Sequence, residues 1–525
     1  MSSKPPLPCP VCPDSLLGSW SAAHVMRLMS PIIIAVVVAL AMTLGAPVRA
    51  QHEASKYKPV QVPMAENHIG VKFLPAERDW ERMDIYVPHN TKSERLPCIV
   101  WFYGGGWGGK VIGDTKNFKA LVDAGYVVAM PDYVLGAQQP VPMAIWDGAA
   151  AIRYLRANAV KYKIDPERIA MLGVSAGGWL TQHLAPSDSQ TLVQQAKRGG
   201  PVNFIPMLEP HPADAEMSAQ VCAFVTDWGA GTLATKRDGW LGPNDPPVFT
   251  CGAMPETFVP KGVAAYRDAG AIAELGTVYG KPVTDVKNPL DYGHCLVGVT
   301  VDKMFTKDKA GNEVTFGQRT MQFLDEYVKN PKSASAPEIF PAGGPVFDAV
   351  PVTLRSIHAG AAIHYTLDGT EPTESSPRFD KQVTVKGGVT LKAITVKPGM
   401  KPSPVTKVTF TAATFAPPVI TTTQQVYRVK LNQPLSITFQ AMCEKPVTWA
   451  LSGKVHAKAL EAVDTNKDNT GIKRESAWLT LDPKTGLLAG TPTAPGVSVF
   501  IVAVNVIEGQ TTLCDARSVI VVAEP

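Results

Sequence analysis

The strongest constraint on the fold is an alternation of short apolar runs with helical patterns over residues 60–330. The apolar runs are short and uninterrupted, as in strands that are buried inside a sheet. The predicted strands are 96–102, 126–130 and 168–172, and the predicted helices between them are 117–124 and 141–161. This order of strands and helices predicts a parallel sheet that is covered by helices on both faces.

A candidate nucleophile follows the third predicted strand, in the sequence Gly173-Val-Ser175-Ala-Gly177. A turn from strand to helix this sharp admits only small residues beside the central serine. It also lifts the hydroxyl above the sheet, next to a helix N-terminus. The motif alone is common by chance, and the alternative is a solvated serine in a tight glycine-rich turn. Its position between a predicted strand and a predicted helix favours Ser175 as the nucleophile.

A glycine run upstream, Tyr103-Gly-Gly-Gly-Trp107, directly follows the first predicted strand. Three glycines allow the backbone to turn its N–H groups toward a developing oxyanion. The expected donors are the N–H groups of Gly105 and Gly106, and that of Ala176 completes the hole. Tyr103 and Trp107, at the two ends of the run, are candidate substrate-binding residues, and Tyr103 also orients the loop. The alternative is a plain flexible turn.

The two motifs resemble those of the bacterial feruloyl and acetyl esterases, a group near the hormone-sensitive-lipase-like hydrolases. Asp132-Tyr-Val-Leu and Asp165-Pro-Glu-Arg-Ile belong to the same resemblance, which is dense over 96–180 and thinner up to Pro331. The resemblance implies an α/β-hydrolase fold and ester hydrolysis through an acyl-enzyme on Ser175. It implies no cofactor.

The general base is expected downstream of the serine, because the chain order in this fold is serine, acid, histidine. His294 lies in a glycine-containing loop before a helical pattern over 316–329, where the resemblance places the base. A base must come within hydrogen-bond distance of Ser175, and only this loop is expected to do so. His183, on the helix after the nucleophile, is interpreted as structural, and His211 lies between prolines in a loop.

The acid of the triad is less clearly marked in the sequence. The family usually carries His-Gly-x-x-Asp before Val-Pro, after a strand that begins Pro-Pro-Val. In this chain the flanking Pro-Pro-Val and Val-Pro sequences are present, from Pro246 to Pro260, but the Asp between them is absent. Glu256 is the natural substitute, because Glu can also orient the imidazole. Asp291 and Asp245 are the alternatives, and Glu256 would then be a surface carboxylate.

The cysteines suggest two bridges, because an exported protein meets an oxidising environment. Cys251 and Cys295 flank the loops of the acid and the base, so a disulfide would hold these loops together; two buried thiols are the alternative. Cys443 and Cys514 lie on predicted strands of the last unit, where a bridge across a sandwich is the hypothesis. Two others lie in apolar runs and are interpreted as core thiols: Cys98 and Cys222.

Beyond a catalytic domain over 60–330, Thr- and Val-rich segments alternate with Gly, Pro, Asn and Asp turns, which predicts small all-β sandwiches. A linker is predicted over 331–345, with units over 346–414 and 416–525. The first unit resembles the Ig-like module at the C-terminus of chitobiases, an accessory to glycan-active enzymes or an inert spacer. The second is similar to Ig-like repeats of bacterial surface proteins. Its loop at 464–475 fits a calcium template only in part, so no metal site is predicted.

The N-terminus predicts export. An apolar stretch over 32–46 follows Arg27 and precedes Val48-Arg-Ala50, the pattern of a secretory signal peptide over 1–50 with cleavage near Ala50. About 15 apolar residues fall short of the roughly 20 that span a bilayer, so no stable membrane anchor is expected. The predicted location is secreted or periplasmic.

The overall charge adds one exclusion. The formal net charge is +4, without long basic runs, which argues against nucleic acid as a partner. The sequence therefore predicts an exported carboxylic ester hydrolase that acts on an ester-bearing polysaccharide, with acetyl or feruloyl groups, or on a small ester. The alternatives are a peptidase or amidase on the same fold, and a non-catalytic glycan-binding or adhesion protein.

Overall fold

The computed structural model describes most of the chain from residue 59 onward. The described residues are 59–74, 82–89, 93, 95–105, 110, 112, 115–133, 143–185, 217–226, 241–250, 259–276, 298–300, 305–341, 343–457, 478–508 and 511–525. The predicted signal peptide, the pair Cys251 and Cys295, and the loop at 464–475 lie outside them.

A central sheet of eight strands organises the first part of the chain. Its strands are β1 Ala65–Lys72, β2 Arg82–Pro88, β3 Leu96–Phe102, β4 Val127–Pro131, β5 Ile164–Gly173, β6 Phe224–Thr226, β7 Val248–Thr250 and β8 Ala273–Leu275. They lie in the order β1-β2-β4-β3-β5-β6-β7-β8. The pairs β1–β2 and β2–β4 are antiparallel, and every later pair is parallel. This mostly parallel sheet, packed with helices, confirms the predicted α/β-hydrolase fold.

Helices pack on this sheet between and after its strands. Within the described residues they are α1 Lys116–Asp123, α2 Met143–Ala157, α3 Ala176–Leu184, α4 Val259–Asp268 and α5 Phe316–Leu324, which continues into a π-helical turn, Asp325–Lys329. A capping box fixes the start of α5, because the side chains of Thr315 and Gln318 each accept the other's backbone N–H. None of the helices described is long and apolar enough to cross a membrane.

The middle of the sheet explains why its strands could be located from sequence. Every residue of β3 and of β4 is buried. Strands of a parallel sheet are covered on both faces, so their sequences form continuous apolar runs. The predicted strand over 96–102 coincides with β3.

Strand β5 begins earlier than the predicted strand over 168–172. Its additional first part is irregular. The register against β3 shifts between the pairs Leu96–Ile164 and Cys98–Ile169. Pro166 lies in this irregular part, where a residue without an N–H is tolerated. Its carbonyl accepts a hydrogen bond from Arg156 Nε at 2.9 Å. The irregular part also carries Glu167, whose contacts are described below.

The rear part of the chain is built from strands in small sheets, as predicted. The strands are β9 Phe305–Lys307, β10 Glu313–Thr315, β11 Glu338–Phe340, β12 Gly344–Val346, β13 Ala349–Arg355, β14 Ala362–Thr366, β15 Val383–Lys386, β16 Thr390–Val396, β17 Thr406–Ala412, β18 Val419–Ile420, β19 Val426–Lys430, β20 Leu435–Thr438, β21 Ala441–Met442, β22 Thr448–Ala457, β23 Thr480–Leu481, β24 Leu487–Gly490, β25 Gly496–Glu508 and β26 Thr511–Glu524. The pair β9–β10 precedes α5. Strand β11 and the start of β12 lie within 331–345, the stretch predicted as a linker.

Two sandwiches follow from the pairing of the later strands. The first joins a sheet β11-β13-β15 to a sheet β12-β17-β16-β14 around its own apolar cluster. The second joins β19-β26-β25-β22 to β20-β24-β23 around another. Ala503 of β25 instead belongs to the apolar cluster of the central sheet. The second sandwich therefore packs against the core of the central sheet through the outer face of β25.

The predicted bridge between Cys443 and Cys514 is wrong, because both side chains are thiols. Cys443 follows β21 and packs against a small cluster that contains Leu513. Adjacent residues of a strand point to opposite faces, so Cys514 of β26 faces away from that cluster. Cys98 and Cys222 are core thiols, as predicted. Burial raises the pKa of Cys222 to about 12 and that of Cys98 higher still.

Glu167 joins the domain of the central sheet to the first sandwich. Its carboxylate accepts a hydrogen bond from His358 Nδ1 at 2.8 Å, from the Ala359 N–H at 3.0 Å, and from Lys397 Nζ. Nearby, Gln220 Nε2 donates to the carbonyl of Ala336 at 2.9 Å. These contacts fix the first sandwich against the amino-terminal end of β5.

The protonation of His358 follows from its two partners. Its Nε2 accepts the Ser335 N–H at 2.8 Å, so the proton is carried by Nδ1, which donates to Glu167. Burial lowers the pKa of His358 below its ordinary 6.5, although Glu167 acts in the opposite direction. Burial raises the pKa of Glu167, but hydrogen bonds from Lys397, His358 and the Ala359 N–H outweigh it and bring this pKa below its ordinary 4.5.

We expect the thermal stability to fall as the pH is lowered from about 7.5 to about 5. The folded pKa of His358 is lower than the unfolded one, so the unfolded chain binds this proton more strongly. The stabilisation is therefore complete above pH 6.5 and is lost as the pH falls below that value. Glu167 adds a further loss of stability as the pH falls below 4.5, the ordinary pKa of its side chain.

The unfolding temperature, measured against pH, checks this expectation. The change His358→Gln should flatten the dependence, because it removes the titrating ring. His364→Gln is the control, since His364 bonds the Ser376 carbonyl within the first sandwich. An equal slope in all three proteins would contradict the assignment to His358.

Candidate active site

Ser175 lies in the turn between β5 and α3, in a conformation that few residues adopt. Its backbone angles are φ 55° and ψ −118°. A positive φ is unfavourable for a residue with a side chain, by about 1–3 kcal/mol, and it persists only where the surroundings impose it. Ser175 is 9% exposed. The strand-to-helix turn predicted around Ser175 is therefore present, and the serine lies just below the surface.

Two glycines make this turn possible. A Cβ atom on Gly173 would lie 2.6 Å from Thr181 Cγ2, and one on Gly177 would lie 2.6 Å from the carbonyl oxygen of Tyr103. Neither position has room for a side chain, because α3 approaches the ends of β3 and β5 at backbone contact. The Gly177 N–H donates to the carbonyl of Val174 at 2.8 Å and closes the turn.

The glycine run after β3 lies beside the serine. A Cβ atom on Gly104 would be 3.0 Å from Ser175 Cβ and 3.7 Å from Ser175 Oγ. Gly105 has φ 124°, which favours glycine. The sequence did not single out Gly104, although it packs directly beside Ser175.

Ala176 is the first residue of α3. The first amide groups of a helix have no carbonyl partner within it, so they are available to an anion at the helix N-terminus. The position of Ala176 directly after Ser175 thus fits the predicted oxyanion donor. Gly106 and Trp107, predicted as donor and substrate contact, lie outside the described residues.

The structure corrects the predicted contact between Tyr103 and substrate. The side chain of Tyr103 is 1% exposed, because its ring stacks on that of Tyr133 with centroids 4.6 Å apart. The ring also lies 5.2 Å from Lys110 Nζ. Burial between these side chains fits the other predicted role of Tyr103, which is to orient the loop.

Two residues considered for the triad lie elsewhere. Asp245 accepts the Gly242 N–H at 2.9 Å in a turn that precedes β7. Ser175 follows the carboxyl end of β5, and β5, β6 and β7 are parallel. Asp245 is therefore at the opposite end of the sheet, so it is wrong as the alternative acid. His183 is 1% exposed and its Nδ1 is 2.7 Å from the Trp179 carbonyl oxygen, which agrees with a structural role.

The predicted base His294 and the acids Glu256 and Asp291 lie outside the described residues, as does His211. The chain after His294 is anchored at residues 299 and 300. Asn117 Oδ1, on α1, accepts the N–H groups of Val299 and Thr300 at 2.8 and 3.1 Å. The sequence held no signal for this anchor, because the contact joins residues far apart in the chain.

The arrangement of the described residues supports nucleophilic chemistry. A serine at a helix N-terminus is placed where backbone N–H groups stabilise negative charge. Among the described residues, no group of three or more His, Cys, Asp and Glu side chains is arranged to hold a metal ion.

The comparisons with known proteins agree with this geometry. Residues 83–203 match the BD-FAE family. Residues 341–407 match the chitobiase/beta-hexosaminidase C-terminal domain. The first match covers β2 through α3 and therefore includes Ser175 and the glycine run. The second covers the first sandwich from near β12 to β17. Both matches confirm the two resemblances that the sequence motifs carried.

Individual relatives resemble a part of this chain. An AB hydrolase superfamily protein of Schizosaccharomyces pombe is 34% identical over 130 residues, 24% of this chain and 35% of its own length. The carboxylesterase NlhH of Mycobacterium tuberculosis is 38% identical over 103 residues, 19% of this chain and 32% of its own length. The chain thus spans about a third of each of these relatives. A solved truncated form of a carbohydrate esterase from gut microbiota is 20% identical, covers 45% of this chain and 96% of its own, and gives a TM-score of 0.35.

Proposed function

We propose that the chain is a serine ester hydrolase that works through an acyl-enzyme on Ser175. The observation that supports this most strongly is the strained turn at Ser175, with Gly104 packed against the serine and α3 starting at the next residue. Strain of this kind is maintained at sites that use it. The match of residues 83–203 to BD-FAE and the likeness to a carboxylesterase support ester hydrolysis.

The proposed reaction has two halves. Ser175 Oγ attacks the ester carbonyl carbon while His294, oriented by Glu256, accepts the hydroxyl proton. The N–H groups of Gly105, Gly106 and Ala176 hold the oxyanion. The bond to the alcohol then breaks, and the alcohol leaves with the proton from His294. In the second half, a water molecule gives a proton to His294 and attacks the acyl carbonyl carbon. The bond between Ser175 Oγ and the acyl group then breaks, the acid is released, and His294 returns the proton to Ser175 Oγ. No step needs a cofactor.

The proposed substrate is an acylated polysaccharide, with acetyl or feruloyl groups. The likeness of residues 341–407 to the C-terminal domain of chitobiases, which act on glycans, supports this choice. We also propose that residues 1–50 are removed on export and that the mature protein acts outside the cytoplasm, on the basis of the N-terminal pattern.

Covalent labelling and acyl release together test the proposal. An organophosphate should add one adduct to the protein comprising residues 51–525, and peptide mapping should locate it on Ser175. The same protein should release acetate from acetylated xylan or ferulate from feruloylated xylan, and p-nitrophenol from p-nitrophenyl acetate.

The outcomes separate the alternatives. Release of p-nitrophenol from p-nitrophenyl acetate, without acyl release from xylan, would support an esterase but contradict the polysaccharide substrate. Cleavage of peptide substrates without release from any ester would favour a peptidase. Folded protein that binds glycan but takes no label would favour a binding protein.

A further inference from the structure

Asp132 and Tyr133, which directly follow β4, contact Lys110 and Tyr103, the residues on either side of the stretch 104–109 that contains the glycine run. Tyr133 bonds the backbone of Tyr103 before this stretch, and Asp132 bonds Lys110 after it. We propose that this pair is a clamp that positions the oxyanion-binding backbone. The inference rests on the proposed function, because it assigns the clamp to the same ester hydrolysis.

The contact with Tyr103 is made inside the core. The Tyr133 hydroxyl donates to the carbonyl oxygen of Tyr103 at 2.7 Å, and the two side chains are 2% and 1% exposed. On its other side this carbonyl oxygen lies against Gly177, where a Cβ atom would be 2.6 Å away. The peptide unit between Tyr103 and Gly104 is therefore held from two sides. Since a peptide unit is planar, fixing its carbonyl fixes the backbone that leads into Gly105, whose N–H is a proposed oxyanion donor.

The contact with Lys110 is an ion pair. Lys110 Nζ donates to Asp132 Oδ1 at 2.7 Å, and the two side chains are 18% and 21% exposed. The other carboxylate oxygen accepts the N–H of Arg82 at 3.2 Å, which ties Asp132 to the start of β2. A partly buried pair of this kind is screened less by salt than an exposed one.

The backbone after Tyr103 needs such a clamp because of its composition. Glycine has access to more backbone conformations than other residues, so Gly104 and Gly105 do not hold one direction by themselves. Oxyanion stabilisation depends on N–H groups that are already aimed before the reaction begins. Tyr133 and Asp132 are thus positioning residues, and neither needs to touch the substrate.

The first test removes one oxygen atom from the clamp. In Tyr133→Phe, kcat for p-nitrophenyl acetate should fall about tenfold while KM stays within about twofold, because the loss is felt in the transition state. A trifluoromethyl ketone forms an oxyanion on the serine, so its Ki should rise by the same factor as kcat falls. Tyr162→Phe is the matched control, since Tyr162 is equally buried and its hydroxyl bonds that of Tyr154 at 3.3 Å.

The second test removes the charge at the other end. Asp132→Asn should lower kcat by a smaller factor than Tyr133→Phe, again with little change in KM. Asp123→Asn is its control, because Asp123 pairs with Lys119 on the exposed surface of α1. Unfolding temperatures of all four variants are measured alongside.

The results distinguish the inference from the function on which it rests. A wild-type protein that neither turns over the ester nor binds the ketone overturns both. An active wild type with unchanged kcat and Ki in Tyr133→Phe overturns the clamp alone. An equal fall in kcat in Tyr133→Phe and Tyr162→Phe, in step with their unfolding temperatures, also overturns the clamp. Such a fall would be an effect of lower stability.

Discussion

Replacing Ser175 with alanine is expected to lower kcat for p-nitrophenyl acetate by at least about 10⁴-fold. The hydroxyl oxygen is the atom proposed to form the acyl-enzyme, and no described side chain in the turn offers a replacement nucleophile: the neighbours are Val174 and Ala176. The fold should survive, because alanine removes one oxygen from a residue whose Cβ is already accommodated beside Gly104. Relief of strain at φ 55° is not expected, since alanine also has a Cβ.

The measurement is kcat/KM with the unfolding temperature of the same preparation. Ser218→Ala is a matched control, because Ser218 is also buried in the domain of the central sheet and its Oγ accepts the Gln220 N–H at 2.9 Å. The control should keep its turnover. If Ser175→Ala kept more than about a hundredth of the wild-type rate, another group would be the nucleophile.

Replacing Gly177 with alanine is expected to have the second largest effect, on both activity and stability. The new methyl group would overlap the backbone of Phe102 and Tyr103, and backbone atoms of a buried strand cannot move aside as a side chain can. The start of α3 would be displaced from β3, and with it Ser175. A displacement of about 1 Å at a reacting group costs about 10²-fold in rate.

Both kcat/KM and thermal unfolding should therefore fall in Gly177→Ala, and the yield of soluble protein should fall with them. Gly148→Ala is the control, because a methyl group on this α2 glycine meets the ends of the Leu184 and Phe102 side chains. That variant should keep kcat/KM within about threefold, since side-chain ends can repack. Equal behaviour of the two variants would mean that the close approach of α3 to β3 is not required.

The elements around the nucleophile could be predicted because their signals are local. Strand β3 is a continuous apolar run, and the turn at Ser175 is marked by its own glycines. The chain needs no distant partner to show either feature. The irregular start of β5 was missed because Asp165, Pro166 and Glu167 carry no strand pattern, and a distant part of the chain binds Glu167.

The errors share a different cause. Tyr103 was assigned to the substrate because it flanks the glycine run, but stacking on Tyr133 decides where its ring lies. Asp245 was a candidate by chain order, and the parallel direction of β7 excludes it. Both outcomes depend on which elements become neighbours in space, and a single sequence does not record this.

The contact at Glu167 bears on how this chain was assembled in evolution. A module that is joined to the neighbouring domain only by a flexible linker needs no matching residues on that domain. Here the host supplies Glu167 and Gln220, and the module supplies His358, Lys397 and the carbonyl of Ala336. Exchange of this module between proteins would leave the partly buried carboxylate of Glu167 without its donors unless both sides were transferred together. The central-sheet domain and the first sandwich are therefore expected to be inherited together. Recombination near residue 330 would separate residues that depend on each other.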